Sequence, residues 1–335
     1  MSHRHDDTVT IPGLMRQLDM LGNDTGIPLA ASSDDRYFEA EVIDLEKYDR
    51  IVVCMSGGKD SLACLLQLIE LDVVRSKIEL WHHDVDGREG STLMDWLFMA
   101  DYNRQIAEAF NVPLYFSWLK HGFEGEMLKE NGYSHPQCVE TPEGLITLER
   151  DTRRSKPATR LRFPQVSASL QTRWCSSSLK IEVGRRALNN QERFLGKKTL
   201  FVTGERREES SNRARYFQLE RHAMLAPVPY RLGWNRSSCM TCIFNGPRVW
   251  ATIAEYFPER ARQIADYENQ FGTTISRDRI NVLEIADRAR PFEIEDLVAL
   301  EQATRRDYTL PVLATHDHPW TMPAGAFGQE GCGAS

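Results

Sequence analysis

The sequence predicts an α/β fold: a doubly wound parallel sheet, followed by a helical C-terminal region that carries a cysteine site. Three observations support this. The run IVVCM at 51–55 is apolar without alternation, as in strands buried on both faces of a parallel sheet. A glycine turn and a helix follow, with apolar residues at positions 62, 65, 66 and 69. The strand-helix alternation then recurs over 77–119, and right-handed crossovers make such sheets parallel.

Length and composition bound the function before any motif is considered. The 335 residues carry a net charge of −7, with 41% hydrophobic and 27% charged residues, which is typical of a globular protein and argues against a broadly basic nucleic-acid binder. No apolar run is long enough for a membrane span and the N-terminus lacks a signal-peptide core, so we expect a cytoplasmic protein with no membrane partner. Seven cysteines then favour metal ligands or reactive thiols over disulfides. We predict an N-terminal arm at 1–45, an α/β domain at 46–230 and a cysteine-containing helical region at 231–335.

The turn between the first strand and helix reads SGGKDS, residues 56–61. Gly57 and Gly58 leave the backbone bare, so that consecutive amide groups can point into one concavity and hold an anion. Lys59 adds a positive charge, and Asp60 and Ser61 can cap the helix. The sequence therefore predicts a phosphate site at a helix N-terminus, with an ordinary glycine-rich turn as the alternative.

This turn is not a Walker loop, which would need glycine at Val53 and Ser or Thr at Asp60. It resembles instead the SGGxDS pyrophosphate loop (PP-loop) of the ATP pyrophosphatases, which split ATP between its α and β phosphates. That resemblance implies an adenine nucleotide α hydrolase-like fold and ATP bound with its β and γ phosphates against Ser56, Gly57, Gly58, Lys59, Asp60 and Ser61. It also implies Mg²⁺ held with Asp60.

The second strand, at 77–85, ends in His82-His83-Asp84-Val85-Asp86. Ligands in open α/β sheets lie beyond the carboxyl ends of strands, so Asp84 and Asp86 are candidates for Mg²⁺ or nucleotide contacts. Turn chemistry is the alternative for both carboxylates. A helix at 91–110, with Ser91 as its cap, and a third strand at 112–119 complete the β-α-β-α-β order.

Residues 120–165 break this pattern and suggest a functional insertion. The segment contains Cys138 and a basic run. Such a run can bind the phosphates of a nucleic-acid substrate, and a solvated loop is the equally weighted alternative. Its members are Arg150, Arg153, Arg154, Lys156, Arg160 and Arg162.

A helix at 172–189 and a fourth strand at 199–203 lead into a second motif. The residues of the pattern are Cys175, Leu179, Lys180, Gly204, Arg206, Glu209, Ser210 and Arg213. This pattern resembles the phosphoadenosine phosphosulfate (PAPS) reductase superfamily, which includes the DndC-type and SspD-type proteins of DNA phosphorothioation. The guanidinium groups of Arg206 and Arg213 suit bidentate phosphate recognition, and Glu209 would orient one of them. A surface helix with balanced charges is the alternative.

A third motif is the C-x-x-C pair of Cys239 and Cys242, which with Cys175 makes three thiols, one fewer than a closed tetrahedral site. Cys138 or Cys332 is the candidate fourth ligand, unless an external sulfur or nothing completes the set. The resemblance implies a [4Fe–4S] cluster, which we favour over zinc. Three cysteines buried as small hydrophobic residues are the alternative.

Together these motifs predict an ATP-dependent adenylating enzyme that activates a substrate for sulfur transfer. We assign catalysis to Lys59, Asp60, Arg206 and Arg213, nucleotide contacts also to Asp84, Gly204 and Glu209, and expect a cysteine desulfurase as sulfur donor. One alternative is a PAPS reductase acting through a C-terminal cysteine. The other is a nucleotide-binding or nucleic-acid-binding defence subunit without turnover.

Overall fold

The computed structural model describes residues 44–153, 155–166, 171–204, 232–234, 239–276 and 278–313. In these ranges six strands form one mixed, mostly parallel sheet flanked by helices, which confirms the predicted α/β class. The strands are β1 (Arg50–Cys54), β2 (Ile78–His83), β3 (Leu114–Leu119), β4 (Gln137–Thr141), β5 (Gly144–Leu148) and β6 (Thr199–Val202).

Helices cover the sheet and make up most of the C-terminal region. Those of the α/β part are α1 (Lys59–Glu70), α2 (Met99–Ala109), α3 (Gly122–Met127), α4 (Trp174–Ser176) and α5 (Glu182–Asn189). Those that follow are α6 (Pro247–Tyr256), α7 (Pro258–Phe271), α8 (Val282–Ala286) and α9 (Leu297–Ala303). Short 3₁₀ turns lie at Leu45–Lys47, Arg75–Lys77 and Glu192–Phe194.

The prediction of a parallel sheet is wrong at one edge, where two strands are antiparallel. The strand order is β5-β4-β3-β2-β1-β6, in which β4 and β5 form an antiparallel hairpin beside β3. An antiparallel pair needs only a short turn, here closed at Gly144 with φ +125°, whereas a parallel pair needs a long crossover. Ten residues of the segment at 120–165 therefore belong to the sheet.

The helix predicted over 91–110 begins only at Met99. Residues before it form a loop that the carboxylate of Asp86 holds, because this side chain accepts hydrogen bonds from the amides of Met94 (2.9 Å) and Asp95 (2.8 Å). Phe98 is the N-cap of this helix and no side chain of the described residues caps it, so the predicted cap at Ser91 is wrong.

The helix predicted over 172–189 is present from Trp174 to Asn189, but its middle is π-helical at Ser177–Ile181. A π-helical turn has i→i+5 hydrogen bonds, is rare, and is often found at functional sites. Its extra residue shifts the side chains that follow to a different face of the helix. Lys180 and Leu179 of the second motif lie within this segment.

The strand order reverses at β1. β2 and β3 follow it on one side, whereas β6 pairs with it in parallel on the other. The carboxyl ends of β1 and β6 therefore border a crevice of the kind in which open α/β sheets bind ligands. The loop at 56–61 leaves β1 at this crevice, and Gly204 follows β6 by two residues at the same edge.

The C-terminal region packs directly onto the α/β part. The rings of Trp234 and Trp96 lie 5.5 Å apart, and Thr241 donates a hydrogen bond to the Leu93 carbonyl at 3.0 Å. Buried residues of both parts belong to one hydrophobic cluster. None of the helices in the described ranges is both long and apolar enough to cross a bilayer.

Candidate functional site

The loop at 56–61 has a conformation that only glycine suits at its second position. Gly57 has φ +77°, and a Cβ at this position would collide with the sulfur of Met99. α1 begins at Lys59 with Gly58 as its N-cap, so the predicted cap at Asp60 or Ser61 is wrong and both residues lie in the first turn. The reason is that the Ser61 hydroxyl turns back onto the loop.

Two hydroxyl groups fix the shape of this loop. The Ser61 hydroxyl donates to the Gly58 carbonyl (2.9 Å) and accepts from the Ser56 amide (3.2 Å), and the Gly58 amide contacts the Ser56 hydroxyl at 3.4 Å. Within the described ranges the amides of Gly57 and Lys59 have no acceptor. Two N–H groups at a helix N-terminus are therefore available to an anion.

Lys59 and Asp60 form an ion pair of 2.5 Å between Nζ and Oδ1. The lysine side chain is 47% exposed, so this pair is a weak contact that a bound anion can displace. The ammonium group is thus kept at the mouth of the loop, where a phosphate would compete with Asp60 for it.

Gly204 brings the second motif against the first. A Cβ at this glycine would lie 2.6 Å from the carbonyl carbon of Asp60 and 2.7 Å from the amide nitrogen of Ser61. Backbone atoms cannot yield as a flexible side chain does, so glycine is required for this approach. Arg206, Glu209, Ser210 and Arg213, which follow in the chain, lie outside the described residues, as does Arg154 of the basic run.

Three carboxylates gather after β2. Both oxygens of Asp86 are used by the loop amides described above, which gives this residue a structural role. Asp84 lies 3.8 Å from the Arg88 guanidinium. Burial, then the charges of Asp95 and Asp86, raises the pKa of Asp84 to about 7, and burial raises the pKa of Asp86 to about 6.

We expect Asp84→Asn to stabilise the protein at pH 8 by about 2–4 kcal/mol and to leave stability unchanged at pH 4. The folded-state pKa is raised, so the wild-type protein loses stability as the pH rises from about 4 to about 7. Asparagine carries no proton to lose. Urea unfolding at both pH values measures the difference, and the exposed Asp278→Asn is the control. Equal stabilisation at both pH values would contradict the electrostatic cause.

His82 and His83, which end β2, are bonded inside the sheet. Nδ1 of His82 lies 2.8 Å from the Met55 carbonyl, and Nδ1 of His83 lies 2.8 Å from the Ser117 hydroxyl. Burial lowers the pKa of His83 to about 3, so this ring is neutral. These contacts hold both histidines within the sheet.

Cys175, Cys239 and Cys242 lie near enough to Lys180 for their charges to affect its pKa. Negative charge on Cys239 and then on Cys175 raises the pKa of Lys180, while burial raises the pKa of Cys239 well above its usual range against the pull of Lys180. Cys239 and Cys242 share a tight turn, in which the Cys242 amide donates to the Cys239 carbonyl at 3.2 Å. The three thiols and one ammonium group therefore lie in one region.

Cys138 does not join this group. It lies in β4 beside Trp118 and packs with Phe116 against Ala100 of α2, whereas its neighbour Val139 faces α5 on the other side of the sheet. The expectation that Cys138 is the fourth ligand is therefore wrong, because strand alternation turns its thiol away. Cys332 lies outside the described residues. Within the described ranges no three His, Cys, Asp or Glu side chains are arranged to hold a metal ion.

The basic run divides into two kinds of residue. Arg160 is structural, because Nη2 donates to the fully buried Glu126 at 2.7 Å and the guanidinium stacks 4.6 Å over the Trp174 ring. Arg153, Lys156 and Arg162 are exposed. The exposed members keep their charge available to a polyanion.

The sequence analysis included Lys180 in the second motif but did not predict that it lies near the three cysteines. It also did not predict two cavities. The larger, about 370 Å³, lies among the loops after β2 and β3 and is lined by His121, His135, Glu89 and Glu124 among others. The smaller one involves Gln137, a residue whose sequence context carries no signal. Comparison with known proteins found no matching family model, no matching curated protein and no matching solved structure.

Proposed function

We propose that this chain is an ATP-dependent adenylating enzyme of the PP-loop type, with an adenine nucleotide α hydrolase-like fold, which converts ATP to AMP and pyrophosphate. One observation carries the proposal: the SGGKDS loop lies at the reversal of strand order, with the amides of Gly57 and Lys59 without acceptors in the described ranges. A helix N-terminus and a lysine at such a crevice favour the terminal phosphates of a nucleotide.

In this proposal the loop binds the β and γ phosphates and leaves the α phosphate facing the crevice. Lys59 exchanges its contact with Asp60 for the phosphates, and Gly204 keeps β6 close enough for Arg206 and Arg213 to reach the same charge. An acceptor oxygen attacks the α phosphorus, a new oxygen–phosphorus bond forms, the bond to the β phosphate breaks, and pyrophosphate leaves. Positioning and electrostatic stabilisation are the contributions of the chain.

Asp60 and Asp84 are the residues that would hold Mg²⁺. Asp84 is the better placed of the two β2 carboxylates, because Asp86 is already engaged by backbone amides. A divalent cation there would neutralise charge on the leaving pyrophosphate. Burial, and then the charges of Asp95 and Asp86, raise the pKa of Asp84, and a cation would offset the repulsion from those two charges.

The terminal sulfur of a persulfide, supplied by a cysteine desulfurase, would then attack the adenylated acceptor and displace AMP, as in DNA phosphorothioation or tRNA thiolation. A second cysteine thiol would free the thiolated acceptor by forming a disulfide with the carrier cysteine. The thiols of Cys175, Cys239 and Cys242 near Lys180 are the candidate sulfur carriers for this second half. Burial raises the pKa of Cys175 and Cys239, and the charge of Lys180 offsets part of this shift towards the reactive thiolate. The three thiols as arranged do not fit a closed metal site. The [4Fe–4S] cluster therefore stays a prediction, which an iron count on anaerobically purified protein tests, and no step above depends on it.

The experiment is a pyrophosphate-release assay with ATP, Mg²⁺ and candidate acceptors, namely duplex DNA and tRNA. Release above the ATP-only rate supports the proposal. Sulfite production from phosphoadenosine phosphosulfate with thioredoxin would instead support the reductase. The exposed cations Arg153, Lys156 and Arg162 favour a second candidate, a nucleic-acid-binding subunit without turnover, for which neither product forms but DNA or tRNA binds.

A further inference from the structure

A buried polar side chain without a partner lies between β4 and the helix from Trp174 to Asn189. This residue is Gln137, whose side chain is 1% exposed and has no hydrogen-bond partner for either its amide nitrogen or its amide oxygen in the described ranges. Oε2 of the buried Glu126 and Nε1 of Trp174 also lack a hydrogen-bond partner in the described ranges. Such groups are rare in folded proteins, and an absent ligand or water is a usual cause.

Gln137 lines a cavity of about 190 Å³, which is well above the space that one ordered water needs. The wall is polar and carries hydroxyl groups. Two of these come from the π-helical segment, so the unusual helix geometry and the unpartnered amide meet at the same place. The polar members of the wall are Gln137, Ser134, Ser177, Ser178, Arg150 and Glu182.

We propose that this cavity binds a nucleobase. A carboxamide offers one donor and one acceptor side by side, which matches the paired donor and acceptor on the edge of a base. The hydroxyl group of Ser178 can donate or accept and so adds a contact without excluding any base, whereas that of Ser177 already donates to the Trp174 carbonyl at 3.2 Å. A charged ligand would leave an ion beside a neutral amide, whereas a neutral planar ring satisfies the amide and fills a small cavity.

The charges around the cavity indicate how a base reaches it. Glu182 is already paired, with Arg185 at 2.9 Å and Arg150 at 4.0 Å, so it offers little repulsion. Arg150 lines the cavity and is the first residue of the basic run, whose exposed members follow in the chain. A strand could therefore lay its phosphates along these cations and insert an unpaired base, as base-flipping enzymes do. A free nucleoside is the other ligand that would supply a base to this cavity.

The test measures binding of the four ribonucleosides and of fluorescein-labelled eight-nucleotide single strands to the wild-type chain and to Gln137→Met. The nucleosides carry no phosphate and no turnover is read, so failure of the ATP chemistry would not affect the result. We expect Gln137→Met to weaken binding about 10- to 100-fold, because two hydrogen bonds are lost. Its midpoint of thermal unfolding should stay equal or rise, because methionine removes an unpaired buried amide.

Gln302→Met is the matched control. Gln302 is also buried, but its amide is fully engaged, donating to the Asp307 carbonyl at 2.7 Å and accepting from the Thr309 amide at 2.8 Å. This variant should unfold at a lower temperature and bind as the wild type does. Ser178→Ala provides a second change in the cavity wall if Gln137→Met fails to fold, and should weaken binding several-fold.

The pattern of results separates the sources. Strands that bind at least ten-fold more tightly than nucleosides, with affinity that falls with salt and on Arg150→Ala, support a base within a nucleic acid. Nucleosides that bind as tightly as strands, without an effect of Arg150→Ala, support a free nucleoside. Binding that is absent, or unchanged in Gln137→Met and Ser178→Ala, would overturn the proposal and leave the cavity as a site for water.

Discussion

Lys59→Ala is expected to reduce ATP-dependent pyrophosphate release at least about 100-fold, the usual effect of removing one positioned charge from a reacting phosphate or oxyanion. The ammonium of Lys59 stands at the mouth of the loop, and among the described residues its contact is the exposed ion pair with Asp60. Its loss leaves the backbone amides and the helix N-terminus to offset the charge of the phosphates. Folding should be unaffected, because the side chain is half exposed.

The measurement is the initial rate of pyrophosphate release at saturating ATP, together with the affinity for ATP by calorimetry. Lys197→Ala, which removes an exposed lysine on the turn before β6, is the matched control and should retain the full rate. A Lys59→Ala protein that releases pyrophosphate at the wild-type rate would remove the loop from the reaction.

Gly204→Ala is expected to weaken ATP binding at least about 10-fold and to destabilise the fold by about 1–3 kcal/mol, the usual cost of forcing atoms into a packed site. The added methyl group would lie 2.6 Å from the backbone of Asp60, so either β6 or the start of α1 must move. Both movements widen the crevice between the two motifs.

Gly132→Ala is the control, because the nearest atom to a Cβ there lies at an ordinary 3.4 Å. Calorimetry with ATP and urea unfolding on both variants separate the loss of binding from the loss of stability. Normal ATP affinity in a folded Gly204→Ala protein would contradict the view that close approach of the two motifs shapes the site.

The parts of the fold that the sequence predicted correctly are those with strong local patterns. β1 was evident because a strand buried on both faces is apolar throughout, and the apolar spacing of α1 repeats with the helical period. The β4–β5 hairpin was missed because it lies at the edge of the sheet, where β5 is largely exposed and β4 mixes the polar Gln137 with the apolar Cys138 and Val139.

The candidate site also contains features that the sequence predicted and features that it missed. Local chain geometry accounts for the loop at 56–61, since the sequence order of strand, glycines and helix dictates where the amides point. The misplacement of Cys138 has a different cause, because spacing along the chain does not say on which face of the sheet a thiol lies. Lys180 and Gln137 acquire their surroundings from elements distant in sequence.

By itself the sequence determined the apolar strand, the glycine turn and the amphipathic helix, because each depends on residues within about a dozen positions of one another. Only the tertiary structure decided that β6 pairs with β1 and brings Gly204 against Asp60, that three cysteines meet at Lys180, and that an unpaired amide lines a cavity. These features depend on packing between segments that are far apart in the chain, for which local periodicity carries no signal.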